Sequence, residues 1–100
     1  MTEKFSRYDS ADYLKTDEDV ALYFASCLEE NDPALITHAL GVIARARGMT
    51  QLARDTGLTR EGLYKALSAD GNPEFTTVMK VINALGLRLH ATTAPLDIMY

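Results

Sequence analysis

Apolar side chains recur at intervals of three and four residues along most of the chain, the spacing of helices that bury one face. Start and stop signals divide this pattern into five segments. The predicted helices cover 17–31, 33–47, 50–57, 60–68 and 74–85. Their capping residues are Thr16, Asp32, Thr50, Thr59 and Asn72. Gly48 and Gly57 are predicted to end the second and third helices. The pattern therefore predicts an all-α domain.

The apolar stripes of the longer helices predict the core. Its members are Val20, Phe24, Cys27, Leu28, Leu35, Ile36, Ala39, Leu40, Ile43, Phe75, Val78, Met79, Ile82 and Leu85. After the last helix, Leu87–Thr92 alternates apolar and polar residues, which predicts one short C-terminal β-strand. A single strand is not stable in isolation, so this one needs a partner edge.

The most informative spacing lies between Gln51 and Ser68. Two short helices that cross at about 90–120° need a small residue where they touch, and Ala53 supplies it. Gly57, four residues later, permits the positive φ of a tight turn. Leu58 and Leu63 then seat the second helix on the core. This arrangement is typical of a helix-turn-helix, and a plain helical bundle is the structural alternative.

The outward face of helix 60–68 carries side chains suited to reading DNA. These are Arg60, Glu61, Tyr64, Lys65 and Ser68. Arg60 suits guanine, whereas Lys65 suits guanine or a phosphate. Tyr64 can pack on a thymine methyl or bond a phosphate, and Glu61 can accept from cytosine or pair with Lys65. Gly62 is unusual inside a helix, and its use is predicted to be a close approach to DNA or to the neighbouring helix.

Three further residues complete the predicted DNA-binding set. Thr50 and Gln51 begin the preceding helix, whose backbone N–H groups and dipole favour a phosphate. Thr59 caps helix 60–68 and so orders its first turn. Because one such helix reads only a few base pairs, the protein is predicted to bind as a homodimer with two half-sites.

The charge is unevenly distributed. The net charge is −4, but residues 1–36 carry −6 and residues 37–100 carry +2. This asymmetry indicates one basic partner and one anionic partner, or simply a solvated acidic helix. The single cysteine excludes an internal disulfide and a thiolate-rich zinc site. No signal peptide or membrane span is visible, so the expected location is the cytoplasm.

The residues show no pattern of a catalytic or cofactor site. His38 and His90 lack the i, i+4 spacing of metal ligands on a helix, and Cys27 lies in an apolar stripe. Gly71-Asn72-Pro73 is a turn rather than a phosphate loop. No nucleophile has a plausible base. We therefore expect neither enzyme activity nor a cofactor or metal.

Residues 10–90 resemble the addiction-module antidote family, which are antitoxins with a lambda-repressor-like helix-turn-helix. The most specific part is Arg60-Glu-Gly-Leu-Tyr-Lys-Ala-Leu-Ser68, and Ala39–Ser68 and Gly71–Leu89 also resemble it. The resemblance implies an antitoxin encoded beside a RelE/ParE-type toxin. It further implies neutralisation by direct binding and repression of the shared promoter.

Together these observations predict an N-terminal acidic helical extension (1–31), a helix-turn-helix domain (32–86) and a short strand and tail (87–100). The predicted partners are an operator in double-stranded DNA and a cognate toxin. The acidic segment is predicted to contribute to toxin binding. Two alternatives stay open: a stand-alone phage-type repressor, and a protein-interaction module that does not bind DNA.

Overall fold

The computed structural model describes residues 14–94. Within this range the chain forms five α-helices: α1 (Asp17–Glu29), α2 (Pro33–Arg47), α3 (Met49–Thr56), α4 (Arg60–Ala66) and α5 (Phe75–Ala84). The first helix packs on the second, the second on the third, and the third on both α4 and α5. The predicted all-α character is confirmed. None of the helices between residues 14 and 94 has the length and apolarity needed to cross a membrane.

Local capping signals fix the starts of α1 and α2. Thr16 and Asp19 form a reciprocal capping box: the Asp19 N–H donates to Thr16 Oγ1 at 3.0 Å, and the Thr16 N–H donates to Asp19 Oδ2 at 3.1 Å. At α2, the Ala34 N–H donates to Asp32 Oδ1 at 3.0 Å, and Pro33 occupies the first turn. Both starts lie where the sequence predicted them.

One hydrophobic core joins all five helices. Its buried members are Val20, Phe24, Cys27, Ala39, Leu40, Ile43, Ala44, Met49, Leu52, Ala53, Leu63, Leu67, Val81, Ile82 and Leu85. In α2 the consecutive residues Ala39–Ala44 are all buried, so the middle of this helix is covered on every side. It also meets the end of α4 closely, because a Cβ on Gly41 would stand 3.0 Å from the carbonyl oxygen of Leu67. The core is therefore built around α2.

The predicted C-terminal β-strand is wrong. Leu87–Thr92 is neither helix nor strand, and no strand occurs anywhere between residues 14 and 94. Leu87 packs against the core, and Leu87, His90 and Thr92 lie beside Phe24 of α1 in a shallow cleft. The side of a helix offers no free backbone donors or acceptors, since these are paired within the helix. Leu87–Thr92 therefore lies beside α1 but has no neighbouring strand with which to form the hydrogen bonds of a β-sheet.

Two predicted helix starts are also wrong. Thr50 does not cap α3: this helix begins at Met49, and its N-cap is Gly48, which makes no side-chain capping bond. The last helix begins at Phe75 after Glu74 rather than after Asn72. The turn before this helix is tight, because Gly71 passes against the end of α4, where a Cβ would overlap the carbonyl of Ala66.

Candidate nucleic-acid interface

The junction between α3 and α4 is a tight three-residue turn, residues 57–59. Gly57 adopts the left-handed conformation, with φ 77° and ψ 12°, which glycine reaches without steric cost. The N–H groups of Gly57 and Leu58 both donate to the carbonyl of Ala53, at 3.0 and 3.1 Å. Gly57 therefore has the positive φ that the sequence predicted.

The buried hydroxyl of Thr56 reinforces this turn. Its Oγ1 donates to the carbonyl of Leu52 at 2.8 Å, and the N–H of Leu58 approaches Oγ1 at 3.4 Å. Thr56 is the one polar residue in the buried part of the described chain. Sequence pattern alone does not single out Thr56, because the bond from its hydroxyl to the carbonyl four residues earlier exists only in the folded helix.

The inward face of α4 is held by two leucines. Leu63 is fully buried, and Leu67 directly after the helix is 5% exposed. At the start of α4, Thr59 is the N-cap, and its Oγ1 accepts a hydrogen bond from the N–H of Gly62 at 2.9 Å. The predicted cap is confirmed. The orientation of α4 is thus fixed by its buried side and by its first turn.

The eight predicted DNA-binding side chains all lie at the surface. They are Thr50, Gln51, Thr59, Arg60, Glu61, Tyr64, Lys65 and Ser68. Five of them belong to α4 or follow it closely, and Thr59 caps this helix. Thr50 and Gln51 lie in the first turn of α3 instead. The structure therefore divides the predicted set between the outer surface of α4 and the start of the preceding helix.

Arg60 and Tyr64 form a pair on the outer surface of α4. The guanidinium carbon of Arg60 lies 5.7 Å from the centre of the Tyr64 ring, within the range of a cation–π contact. This contact restrains a long side chain that would otherwise sample many rotamers. The guanidinium group of Arg60 and the ring of Tyr64 therefore form one cationic and aromatic surface that spans a single turn of α4.

The other candidate side chains differ in whether they form hydrogen bonds or ion pairs within the protein. Gln51 is bound to its own helix, because its Nε2 donates to Asp55 Oδ1 at 2.8 Å. Ser68 Oγ donates to the carbonyl of Lys65 at 2.9 Å, which helps to end α4. The ion pair found among residues 14–94 joins Arg47 to Asp17, so the alternative pairing of Glu61 with Lys65 is not formed.

Two exposed apolar features were not predicted from the sequence. The apolar stripe predicts Phe75 in the core, but the side chain is 72% exposed at the first residue of α5, so this prediction is wrong. Leu22 is 66% exposed on the outer side of α1, opposite the buried Val20 and Phe24. Leu22 and Phe75 each leave a large apolar side chain in contact with solvent, and such exposed apolar groups are candidate contact points for a partner.

The described chain offers no set of ligands for a metal ion. No group of three or more His, Cys, Asp or Glu side chains between residues 14 and 94 is arranged to hold one. Cys27 is a buried thiol in the core, and His38 and His90 are exposed on separate parts of the chain.

Comparison with known proteins assigns the class. The profile of the family described as "Probable addiction module antidote protein" matches residues 4–93, nearly the whole chain. The chain therefore belongs to the addiction module antidote family, which indicates an antitoxin role and a toxin partner. An uncharacterized protein of Haemophilus influenzae strain Rd is 54% identical over 88 residues, covering 88% of this chain and 91% of the relative. No solved structure matches the chain significantly.

Proposed function

We propose that this protein is the antitoxin of a type II toxin–antitoxin module. It neutralises a RelE/ParE-type toxin by direct binding and represses its own operon through a helix-turn-helix formed by α3 and α4. The family supports the antitoxin role. The observation that carries the DNA-binding part is the exposed outer surface of α4, with Arg60, Tyr64 and Lys65 on a helix anchored by Leu63.

The geometry of α4 suits entry into a major groove. The helix has seven residues and is thus about 10 Å long, comparable to the width of the groove. Arg60 presents a planar donor pair that matches the N7 and O6 acceptors of guanine, and its stacking on Tyr64 holds it ready. Lys65 is a point charge suited to a guanine edge or a phosphate. Arg60 and Lys65 provide positive charge, which attracts this surface to the phosphate backbone of DNA.

The remaining candidates take supporting roles in this proposal. Thr50 and Gln51 place the first turn of α3 beside a phosphate, Thr59 orders the first turn of α4, and Ser68 shapes its end. Glu61 faces a cytosine amino group and discriminates against other bases there. Replacing Glu61 with glutamine should then alter base preference more than overall affinity.

Operator titration tests the DNA-binding part. The probe is the DNA immediately upstream of the gene, titrated with the wild type, Arg60→Ala, Tyr64→Ala and Lys65→Ala at two salt concentrations. Arg60→Ala should lose about 1–3 kcal/mol of binding free energy and relax preference at one position in each half-site. Lys65→Ala, if it meets a phosphate, should weaken all sequences alike and reduce the salt slope by about one.

Arg88→Ala is the matched control, because it removes the same charge from an exposed position outside α4. All variants should keep the wild-type melting temperature, since none of the substituted side chains belongs to the core cluster. Unchanged operator affinity in all three α4 variants would reject DNA reading by this helix. The protein-interaction module without DNA binding would then be the better proposal.

Toxin binding is assigned in this proposal to the acidic outer side of α1. Asp17, Glu18 and Asp19 occupy its first turn, Glu29 ends it, and Leu22 lies exposed between these acids. An exposed apolar side chain on a helix with carboxylates at both ends complements a basic surface that has a hydrophobic pocket. RNA-cleaving toxins of this type are generally basic, as the sequence resemblance implies.

Point variants test this surface better than truncation. Deleting residues 1–30 would remove Val20, Phe24 and Cys27 from the core and so confound folding with binding. Leu22→Arg and Glu18→Lys leave the core intact. Both should weaken capture of the toxin encoded in the adjacent reading frame, whereas Lys80→Ala on α5 should not. Wild-type toxin binding by both α1 variants would place the toxin surface elsewhere, and absence of any toxin partner would favour the stand-alone repressor.

A further inference from the structure

Arg45 is an exposed cation of α2 whose guanidinium group lies beside the end of α4. A side chain on a helix points back towards the helix N-terminus, so the Arg45 stem runs towards Gly41, four residues earlier. A Cβ at Gly41 would stand 3.4 Å from Arg45 Nη1 and 3.0 Å from the carbonyl oxygen of Leu67. The guanidinium group and the first residue after α4 therefore meet at the same point on α2.

Gly41 makes this position of Arg45 possible. It lies in the buried middle of α2, where alanine would be the better helix former. Its φ is not in the positive range, so the backbone does not require glycine there. The absence of a side chain instead leaves room for the end of α4 and for the arginine. Gly41 thus allows the guanidinium group of Arg45 to lie close to Leu67.

The donors of Arg45 are free within the described chain. Among residues 14–94 it forms no hydrogen bond and no ion pair, whereas the nearby Arg47 binds Asp17 and the Leu85 carbonyl. A guanidinium group carries five N–H donors in a planar fork that matches two oxygens of one phosphate. Arg45 is therefore an exposed cation that is available to bind an anion from outside the protein.

The location of Arg45 extends the cationic surface of α4. Arg60 begins this helix, Lys65 lies in its last turn, and Leu67 follows it. Arg45 adds a third positive charge at the end of α4 that is opposite to Arg60. Contacts to phosphates position a reading helix on the duplex without reading the bases themselves. A cation beyond the end of α4 is in the right place for such a contact.

We propose that Arg45 binds a phosphate of the operator backbone beside the end of α4. This proposal rests on the proposed function, because it requires α4 to lie in the major groove. Arg45 supplies charge and orientation but no base preference. A purely structural role is the competing explanation, since a cation near the end of α4 also favours the helix dipole.

Titration of the full-length protein with the operator duplex and with an unrelated duplex tests the proposal at several salt concentrations. Arg45→Gln should weaken binding to both duplexes by about five- to tenfold at about 0.1 M salt, because each neutralised phosphate contributes a slope of about 0.9 in log K against log salt. The salt slope should fall by about one, and Arg45→Lys should restore it. Arg88→Gln, at an exposed position outside α4, is the matched control and should change neither quantity.

Uncharged methylphosphonates in the operator identify the phosphate. Each phosphate is replaced in turn, and the wild type and Arg45→Gln are compared on every modified duplex. At one position in each half-site the two proteins should bind equally, because the charge that Arg45 meets has been removed. A difference in affinity that stays the same at every position would overturn the proposal.

Two other results would also overturn it. If Arg45→Gln binds the operator like the wild type while the α4 variants lose affinity, the proposed function stands and Arg45 has no part in it. If Arg45→Gln lowers the melting temperature and leaves operator binding unchanged, Arg45 only stabilises the end of α4. Unchanged binding in Arg45→Gln and in all three α4 variants would reject the proposed DNA binding together with this inference.

Discussion

Gly62 lies in the first turn of α4, and its replacement by alanine should reveal how this helix is capped. A Cβ at position 62 would stand 2.8 Å from Thr59 Oγ1, the atom that accepts the hydrogen bond of the Gly62 N–H. Alanine in a helix is favoured over glycine by up to about 1 kcal/mol. The loss of a threonine N-cap costs about 1 kcal/mol. The two effects are therefore expected to cancel when the new methyl group displaces the hydroxyl.

A double-mutant cycle measures this cancellation. In the wild type, Gly62→Ala should leave the free energy of unfolding nearly unchanged. In a Thr59→Ala background, which has no hydroxyl to displace, the same substitution should stabilise by about 1 kcal/mol. The expected coupling between the two positions is thus about 1 kcal/mol. Urea unfolding of the four proteins, followed by circular dichroism, provides the four free energies.

The serine variant is the control for this cycle. Thr59→Ser keeps the hydroxyl, so Gly62→Ala should again have little effect in that background. Equal stabilisation by Gly62→Ala in the wild type and in the Thr59→Ala background would refute the steric argument. Gly62 would then owe its place to an approach by a partner, which operator binding by Gly62→Ala would test directly.

Three further predictions concern the contacts between elements of the fold. Gly71→Ala should destabilise the protein by about 2–3 kcal/mol in urea or thermal unfolding, because the new Cβ would overlap the Ala66 carbonyl and stand 2.7 Å from the carbonyl oxygen of Lys65. Asn72→Ala is the exposed control, and an equally small loss of stability in both variants would contradict this prediction. Arg47→Ala should cost about 1 kcal/mol, since Arg47 donates to the Leu85 carbonyl at 3.2 Å. Asp17→Asn should leave unfolding unchanged, because its 3.4 Å ion pair with Arg47 is fully in solvent at the carboxylate.

Signals that act within one helical turn predicted the structure well. The start of α2 follows from Asp32 and Pro33, and the end of α3 follows from Gly57. Asp32 and Gly57 act through hydrogen bonds to backbone groups no more than four positions away, and Pro33 acts through its fixed φ, so no tertiary information is needed. The outer surface of α4 was predicted for a related reason, since burial of Leu63 and Leu67 determines which side chains face solvent.

Features that depend on distant neighbours were missed. Phe75 matches the apolar stripe of α5, but as the first residue of that helix it extends past the elements that cover Val81 and Ile82. The alternation in Leu87–Thr92 matches a strand, yet only the side of α1 lies next to it. Periodicity states which residues can share a face, and the packing partner decides whether that face is covered.

Both proposed binding surfaces are connected through α2. The helix packs against α1 and meets the end of α4 where Gly41 lies beside Leu67. Exposed substitutions at Leu22 or Arg60 do not touch this helix core and should therefore separate toxin binding from DNA binding. A larger residue at Gly41 would instead shift α4 relative to α2. Such a substitution would disturb DNA binding although every side chain on the outer surface of α4 stays the same. Only the variants at exposed positions can therefore assign a function to each surface.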